Sequence, residues 1–204
     1  MQRLKPEQSV FHEGDPARRV FMVTHGALKL YTLLADGRRQ ITGFMFPGDF
    51  LGVSIDEEYA FTVEALEDTE LWWFSREAFD RFISDHPQVE RELYRLAAHE
   101  LAEAQRQMVL LGRKAAAERL ASFFLGLLDR AERASGKAET CFDLPMSRID
   151  IADYLGLTKE TVSRMLAHLR SLRLIRLQAQ NRVEVLNRSG LSEMADGMSA
   201  DHIN

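Results

Sequence analysis

Near Phe74 the spacing of apolar residues changes from that of strands to that of helices, and this switch limits the chain to a two-part architecture. Before it, short apolar runs are broken at regular intervals by turn residues. Val20-Phe21-Met22-Val23 is followed by His25-Gly26, then by Ala27-Leu28-Lys29-Leu30-Tyr31. Asp36-Gly37 marks a tight turn, Gln40-Ile41-Thr42-Gly43-Phe44 resumes the extended pattern, and Pro47-Gly48-Asp49 turns again. Phe61 to Ala65 and Glu70 to Phe74 read as the last strands of the set. Strands this short, with turns this regular, predict an antiparallel roll or barrel. The fold class is therefore α+β, with the strands gathered in front and the helices behind.

Ser75 is placed to cap a short helix beginning Arg76-Glu77-Ala78-Phe79. After His86-Pro87 a long helix is expected to about Leu111, because proline suits a first turn and no breaker follows before Gly112. Its apolar seam is Leu93, Ala97, Leu101, Ala104, Met108 and Leu111, in steps of three and four. The seam must bury against the chain's own roll or against a partner. Small alanines on it favour close approach of a second, parallel copy, so a homodimer is expected. Gly112 reads as a joint, and Arg113 to about Arg133 as a further helix whose apolar side is Ala117, Leu120, Ala121, Phe124, Leu125 and Leu128. A loop at Ala134-Ser135-Gly136-Lys137 and a short strand at Phe142-Asp143-Leu144 follow. The tail, rich in small and polar residues from Gly190, is expected to fray. The boundaries are thus 1–86 for the roll with its short helix, 87–112 for the dimerisation helix, 113–190 for the rear domain and 191–204 for the tail.

A net charge of −5 argues at first against a nucleic-acid partner, but its distribution reverses that. Residues 1–112 carry 12 basic and 19 acidic side chains, whereas residues 140–190 carry 8 basic and 5 acidic ones. An acidic front and a basic rear let the rear approach phosphates. The start of the chain shows no signal-peptide core, and no apolar run approaches the roughly 18 residues that span a bilayer. One cysteine, Cys141, cannot form an internal disulfide and suits a reducing compartment. A cytoplasmic location without membrane contact is expected.

The stretch Met146 to Ile175 carries the function. Ser147 caps a helix, Asp150 reaches back to it, and Ile151, Ala152 and Leu155 face inward. Gly156 supplies the tight turn and Leu157 its buried residue; Thr158 then caps a second helix with Val162, Leu166 and Leu169 on its inner face. That leaves Glu160, Ser163 and Arg164 outward, near the N-terminus, where a recognition helix meets the major groove of double-stranded DNA. Arg can bridge O6 and N7 of guanine, Glu can accept from the N4 amine of cytosine, and a Ser hydroxyl serves either role. Ser147, Arg148, Thr158, Lys159 and Thr161 suit phosphate contacts that fix orientation without reading sequence. Beyond Ile175, Arg176 to Ala179 and Arg182 to Val185 flank Gln180-Asn181 as a β-hairpin wing.

Taken together, Glu13-Gly14-Asp15, Gly26, Gly48-Asp49-Phe50-Leu51-Gly52 and the helix-turn-helix resemble the CRP/FNR superfamily of bacterial transcription regulators over nearly the whole chain. The resemblance implies a jelly-roll-like roll of the cyclic-nucleotide-binding type, a long dimerisation helix and a C-terminal winged helix. Glu160-Thr161-Val162-Ser163-Arg164 resembles the FNR and FixK branches, in which Glu, Ser and Arg read a TTGA-type half-site. The cyclic-AMP-responsive branch usually has Gly where this chain has Ser163. Leu144 to Ser147 and Asp150 to Leu157 look most like FixK-type proteins. RNA polymerase is the partner such an activator implies, with candidate surfaces in the loop before Cys141 and around Asp56-Glu57-Glu58.

Two departures bear on the sensor. The iron–sulfur cluster of FNR-type proteins takes four cysteines, and this chain has one, outside the roll. Cyclic-nucleotide binders carry a Glu and then Arg-Ser after the glycine motif, where this chain has Val53, Tyr59 and Ala60, leaving no Arg for a cyclic phosphate. No cofactor and no metal are expected. Alternatives remain open at this point. His12, His25, Met22 or Met45 could ligate a haem, Cys141 could be a redox switch, or the regulator could act without an effector. A metal-dependent roll enzyme would need clustered histidines with a carboxylate, and His12 and His25 lack that spacing.

Overall fold

The computed structural model describes residues 1–53, 57–179 and 181–198. It falls into two compact units, Met1–Glu103 and Ala104–Asn204.

The first unit holds eight strands: β1 (Gln2–Leu4), β2 (Ser9–Phe11), β3 (Arg19–His25), β4 (Leu28–Leu33), β5 (Arg39–Met45), β6 (Phe50–Leu51), β7 (Thr62–Ala65) and β8 (Thr69–Ser75). They form two four-stranded antiparallel sheets, ordered β1-β8-β3-β6 and β2-β7-β4-β5. Between them lies a core of Leu4, Phe11, Phe21, Val23, Leu28, Leu30, Leu51, Tyr59, Val63 and Leu71. The alternation read in the sequence is what builds it: Leu28 and Leu30 on β4 stand beside their register partners Ala65 and Val63 on β7, so all four share the apolar face of one sheet. The β3–β4 hairpin depends on Gly26, whose φ is +83°. A Cβ there would lie 2.5 Å from the Asp68 carbonyl oxygen, so the position excludes any side chain.

Helix α1 (Arg76–Asp85) starts where expected, with the Ser75 hydroxyl accepting from the Ala78 amide. Helix α2 runs Pro87–Arg113. It passes through Gly112, so the expected joint there is displaced; the break falls at Lys114-Ala115. An isolated glycine lowers helix propensity by only about 1 kcal/mol, and a Cβ at Gly112 would meet open space, so nothing at this position demands a glycine joint.

In the second unit, α3 (Ala116–Ser135) begins three residues later than read from the sequence and ends at Gly136 in the left-handed region. The Glu118 carboxylate accepts from the Ala115 amide and secures its start. Leu120, Phe124 and Leu128 are fully buried, each contributing about 1.5–3 kcal/mol of apolar transfer. Phe123 and Leu127, absent from the apolar side read in the sequence, are buried as well. Around α3 stand β9 (Cys141–Asp143), α4 (Arg148–Leu155), α5 (Lys159–Ser171), β10 (Ile175–Gln178), β11 (Arg182–Val185) and α6 (Arg188–Ala195). The wing strands form one antiparallel sheet, β10-β11-β9, in which β9 and β10 each sit one residue earlier than expected.

The tail corrects its expectation. Instead of fraying from Gly190, residues 188–195 form α6, capped by the Asn187 side chain and packed on α3 through Leu191 and Ala195. Small polar neighbours hid a helical spacing that tertiary burial makes good. Residues 199–204 lie outside the described residues. Arg188 clamps α6 to α3, reaching Asp129 at 2.7 Å and both oxygens of Glu132. Hydrogen bonding from Arg188 holds the Glu132 carboxyl below its usual pKa. A depressed carboxyl stabilises the fold above its unfolded pKa, and the gain is lost as pH falls through the folded value. The thermal midpoint of this unit is therefore expected to drop through the carboxylate range on acidification. An Arg188→Met variant, measured over the same range, should show a shallower drop.

Candidate nucleic-acid interface

The geometry starts with two capped helices set around one glycine. Ser147 Oγ accepts from the Asp150 amide, while the Asp150 carboxylate accepts from both the Ser147 amide and its hydroxyl. The box starts α4 but uses the only hydroxyl hydrogen of Ser147. A phosphate contact donated by that side chain, as expected from sequence, would first have to break the box. Gly156 ends α4 with φ +62° and ψ +42°, a conformation in which a Cβ is strained. Thr158 opens α5 by accepting from the Thr161 amide at 3.2 Å. Val162, Leu166 and Leu169 anchor the inner face of α5, and Ile151, Ala152 and Leu155 that of α4.

The outer face of α5 is then presented as the sequence reading has it. Lys159, Glu160 and Arg164 are exposed, and Ser163 is half-buried between them. Arg148, at the first turn of α4, is exposed and donates from Nη1 to Ser163 Oγ at 3.2 Å. Arg164 donates from Nη2 to Thr161 Oγ1 at 3.3 Å, and Thr161 is bonded in turn to Thr158 at 3.0 Å. One hydroxyl of that threonine pair must donate to the other, so a single hydroxyl hydrogen is left to point outward. These side-chain links were not read from the sequence, since they depend on which turn of one helix faces the other. Each helix also carries the positive end of its dipole at its first turn, beside Arg148 on α4 and Lys159 on α5.

The other singled-out residues are placed as follows. Cys141 is half-buried on β9, paired with Glu184 of β11, so it sits in the sheet that carries the wing. Asn181, at the wing turn, takes φ +55°, which asparagine tolerates well; Gln180 lies outside the described residues. His12 and His25 are exposed, and Met22 and Met45 are half-buried. Glu57 and Glu58 are exposed, while Asp56 lies outside the described residues. Tyr59 is buried in the roll, stacked on Phe11 with ring centroids 3.6 Å apart. Its hydroxyl donates to the Arg19 carbonyl at 2.8 Å and accepts from the Arg19 amide. Among the described residues no group of His, Cys, Asp and Glu could hold a metal ion, and no helix is long and apolar enough to cross a membrane.

Comparison with known proteins agrees with this arrangement. Residues 1–86 match the cyclic nucleotide-binding domain, and residues 118–194 match the Crp-like helix-turn-helix domain. The nitrogen fixation regulation protein FixK of Bradyrhizobium diazoefficiens is 46% identical over 77% of this chain and 66% of its own length. The transcriptional activatory protein AadR of Rhodopseudomonas palustris is 44% identical over 85% of this chain and 72% of its own. The chain belongs to the CRP/FNR family, in its FixK branch. The solved structure of FixK2 from Bradyrhizobium japonicum superposes with a TM-score of 0.86 at 37% identity, covering 95% of each chain. Membership, with its helix-turn-helix match, makes the chain a DNA-binding transcription regulator.

Proposed function

We propose that this FixK-branch regulator binds, as a homodimer, a palindrome of the TTGA…TCAA type and activates transcription from it without a cyclic nucleotide or an iron–sulfur cluster. The observation that carries the reading is the exposure of Glu160 and Arg164 on the first turns of α5, with Ser163 between them. Arg164 bridges guanine, Glu160 accepts from a cytosine amine, and Ser163 meets a neighbouring base edge. Arg148, Lys159 and the Thr158–Thr161 pair hold phosphates; Ser147 contributes through the helix it starts. Two such helices, about 34 Å apart, meet successive major grooves on one side of the duplex.

The dimer reading rests on α2. Leu101 is 62% exposed and Met108 is 70% exposed in the single chain. Tyr94, at 77%, completes a strict alternation of three and four with Ala97, Leu101, Ala104, Met108 and Leu111. Tyr94 therefore replaces Leu93, which is half-buried, at the head of the proposed seam.

The roll does not fit a cyclic nucleotide. Where the family's binders place the phosphate-pairing Arg-Ser, this chain has Tyr59-Ala60, and the Tyr59 ring fills the core beside Gly52. Activation would then need only polymerase contacts, from the loop before Cys141 or from Glu57 and Glu58. The cell compartment is the cytoplasm, where the promoter lies.

Selection of bound duplexes from a random pool tests the assignment. Wild type should enrich the palindrome. Arg164→Ala should bind it more weakly by about 1–3 kcal/mol and lose preference at one base pair per half-site. Lys159→Ala should weaken all sequences alike and flatten the salt dependence. An Arg164→Ala protein that keeps full affinity and the full consensus would overturn the base-reading role. Repeating the selection with oxidised protein reports whether Cys141, in the wing sheet, adds redox control.

A further inference from the structure

The turn of the helix-turn-helix is held from outside the motif. Helices leave their last carbonyls without intrahelical partners, and those carbonyls carry the negative end of the helix dipole. At the end of α4 three successive carbonyls meet side chains from elsewhere. Tyr154 O accepts from Gln107 Nε2 at 3.0 Å, and Leu155 O from Arg119 Nη1 at 2.9 Å. Gly156 O lies 3.5 Å from the same Nη1. The same guanidinium closes the end of α2: Nη2 donates to Leu111 O at 2.9 Å and Nε to Lys114 O at 2.8 Å. One half-buried arginine at the start of α3 thus pins two helix C-termini, and Gln107, on α2 itself, adds a direct strut to α4. Arg119 and Leu111 also lie over the turn itself, since a Cβ on Gly156 would meet Arg119 Nη1 and Leu111 Cδ2 at ordinary contact distance, 3.4 and 3.5 Å.

A lysine could not do this, because its single ammonium cannot reach carbonyls on opposite sides of a planar fork. Lys114 makes a simpler contact of the same kind, donating to Ala195 O at the end of α6. The consequence is geometric. The last turns of α2 and the turn before the recognition helix are tied together by these hydrogen bonds, which bear directly on the angle at which α5 leaves α2.

We propose that Arg119, with Gln107, is a positioning residue that fixes the helix-turn-helix on the end of α2 and thereby sets the half-site spacing the regulator accepts. The proposal rests on the palindrome reading above. Moving one half-site by a base pair displaces it about 3.4 Å along the duplex and about 35° around it. A rigid joint makes that displacement costly, whereas a loosened joint tolerates it.

The test measures affinity for duplexes with one half-site, with the selected palindrome, and with its spacer lengthened or shortened by one base pair. Wild type is compared with Arg119→Lys, Arg119→Met and Gln107→Ala, each checked for folding and for dimer mass. The variants should bind a single half-site within about twofold of wild type, since α5 keeps its base-reading residues. Their spacer penalty should fall about tenfold for the Arg119 variants, the worth of a charge-assisted hydrogen bond, and less for Gln107→Ala. A folded, dimeric Arg119→Lys protein with the wild-type spacer penalty overturns the proposal. If both Arg119 variants fail to fold, an unchanged penalty in Gln107→Ala overturns it instead. A wild type with no spacer preference at all would overturn the palindrome reading itself, and the two failures are thereby distinguished.

Discussion

Replacing Leu101 and Met108 together with glutamate is expected to convert the proposed dimer into a monomer and to weaken palindrome binding by about 10²–10⁴-fold. The size follows from linkage. In a dimer the second half-site is engaged at the high effective concentration set by the first, and a monomer forfeits that gain. The substitution costs the isolated chain little, since both side chains are already largely exposed there. In a parallel pair, four glutamates would face one another across an apolar seam, where like charges repel and desolvation is unfavourable. Sedimentation gives the mass, a titration of labelled palindrome gives the affinity, and the thermal midpoint of the rear domain, whose core excludes both residues, should stay put. A double variant that remains dimeric would remove α2 from the interface.

Tyr59→Ala is expected to destabilise the roll by about 3–5 kcal/mol, as large-to-small changes of buried aromatic residues do. The ring lies 3.6 Å from that of Phe11 and packs beside Gly52, so its loss leaves a cavity that the surrounding strands cannot collapse to fill. Its hydroxyl also satisfies both backbone polar groups of Arg19. Tyr59→Phe separates the two effects: it keeps the ring, leaves the Arg19 carbonyl short of a donor, and should cost about 1–3 kcal/mol. Denaturant unfolding followed by Trp72 and Trp73 fluorescence reports on the roll, because both tryptophans lie on β8. An unchanged midpoint for Tyr59→Ala would mean that the residue does not fill the core.

Much of this molecule was legible because its signals are local. Ser75, Ser147 and Thr158 each cap the helix they precede, since a cap needs only a hydroxyl and the amide three residues on. Gly26 and Gly156 turn where they were read to turn, because their backbone angles exclude side chains. The outward grouping of Glu160, Ser163 and Arg164 follows from helical period alone. What was misread has a common cause. Gly112 and the segment after Gly190 were judged by local propensity, and burial in the rear domain overrode it at Leu110 and at Leu191.

The amino-acid pattern by itself determined the order of parts: a roll, a long amphipathic helix, and a capped helix pair with a wing. It also determined which side chains α5 turns outward, because period and capping are properties of contiguous residues. Only the tertiary structure decided that Arg119 and Gln107 hold the end of α4, that Arg148 meets Ser163 and that Tyr59 fills the roll. Each of those is a contact made by residues whose partners are fixed by how helices and strands pack in three dimensions.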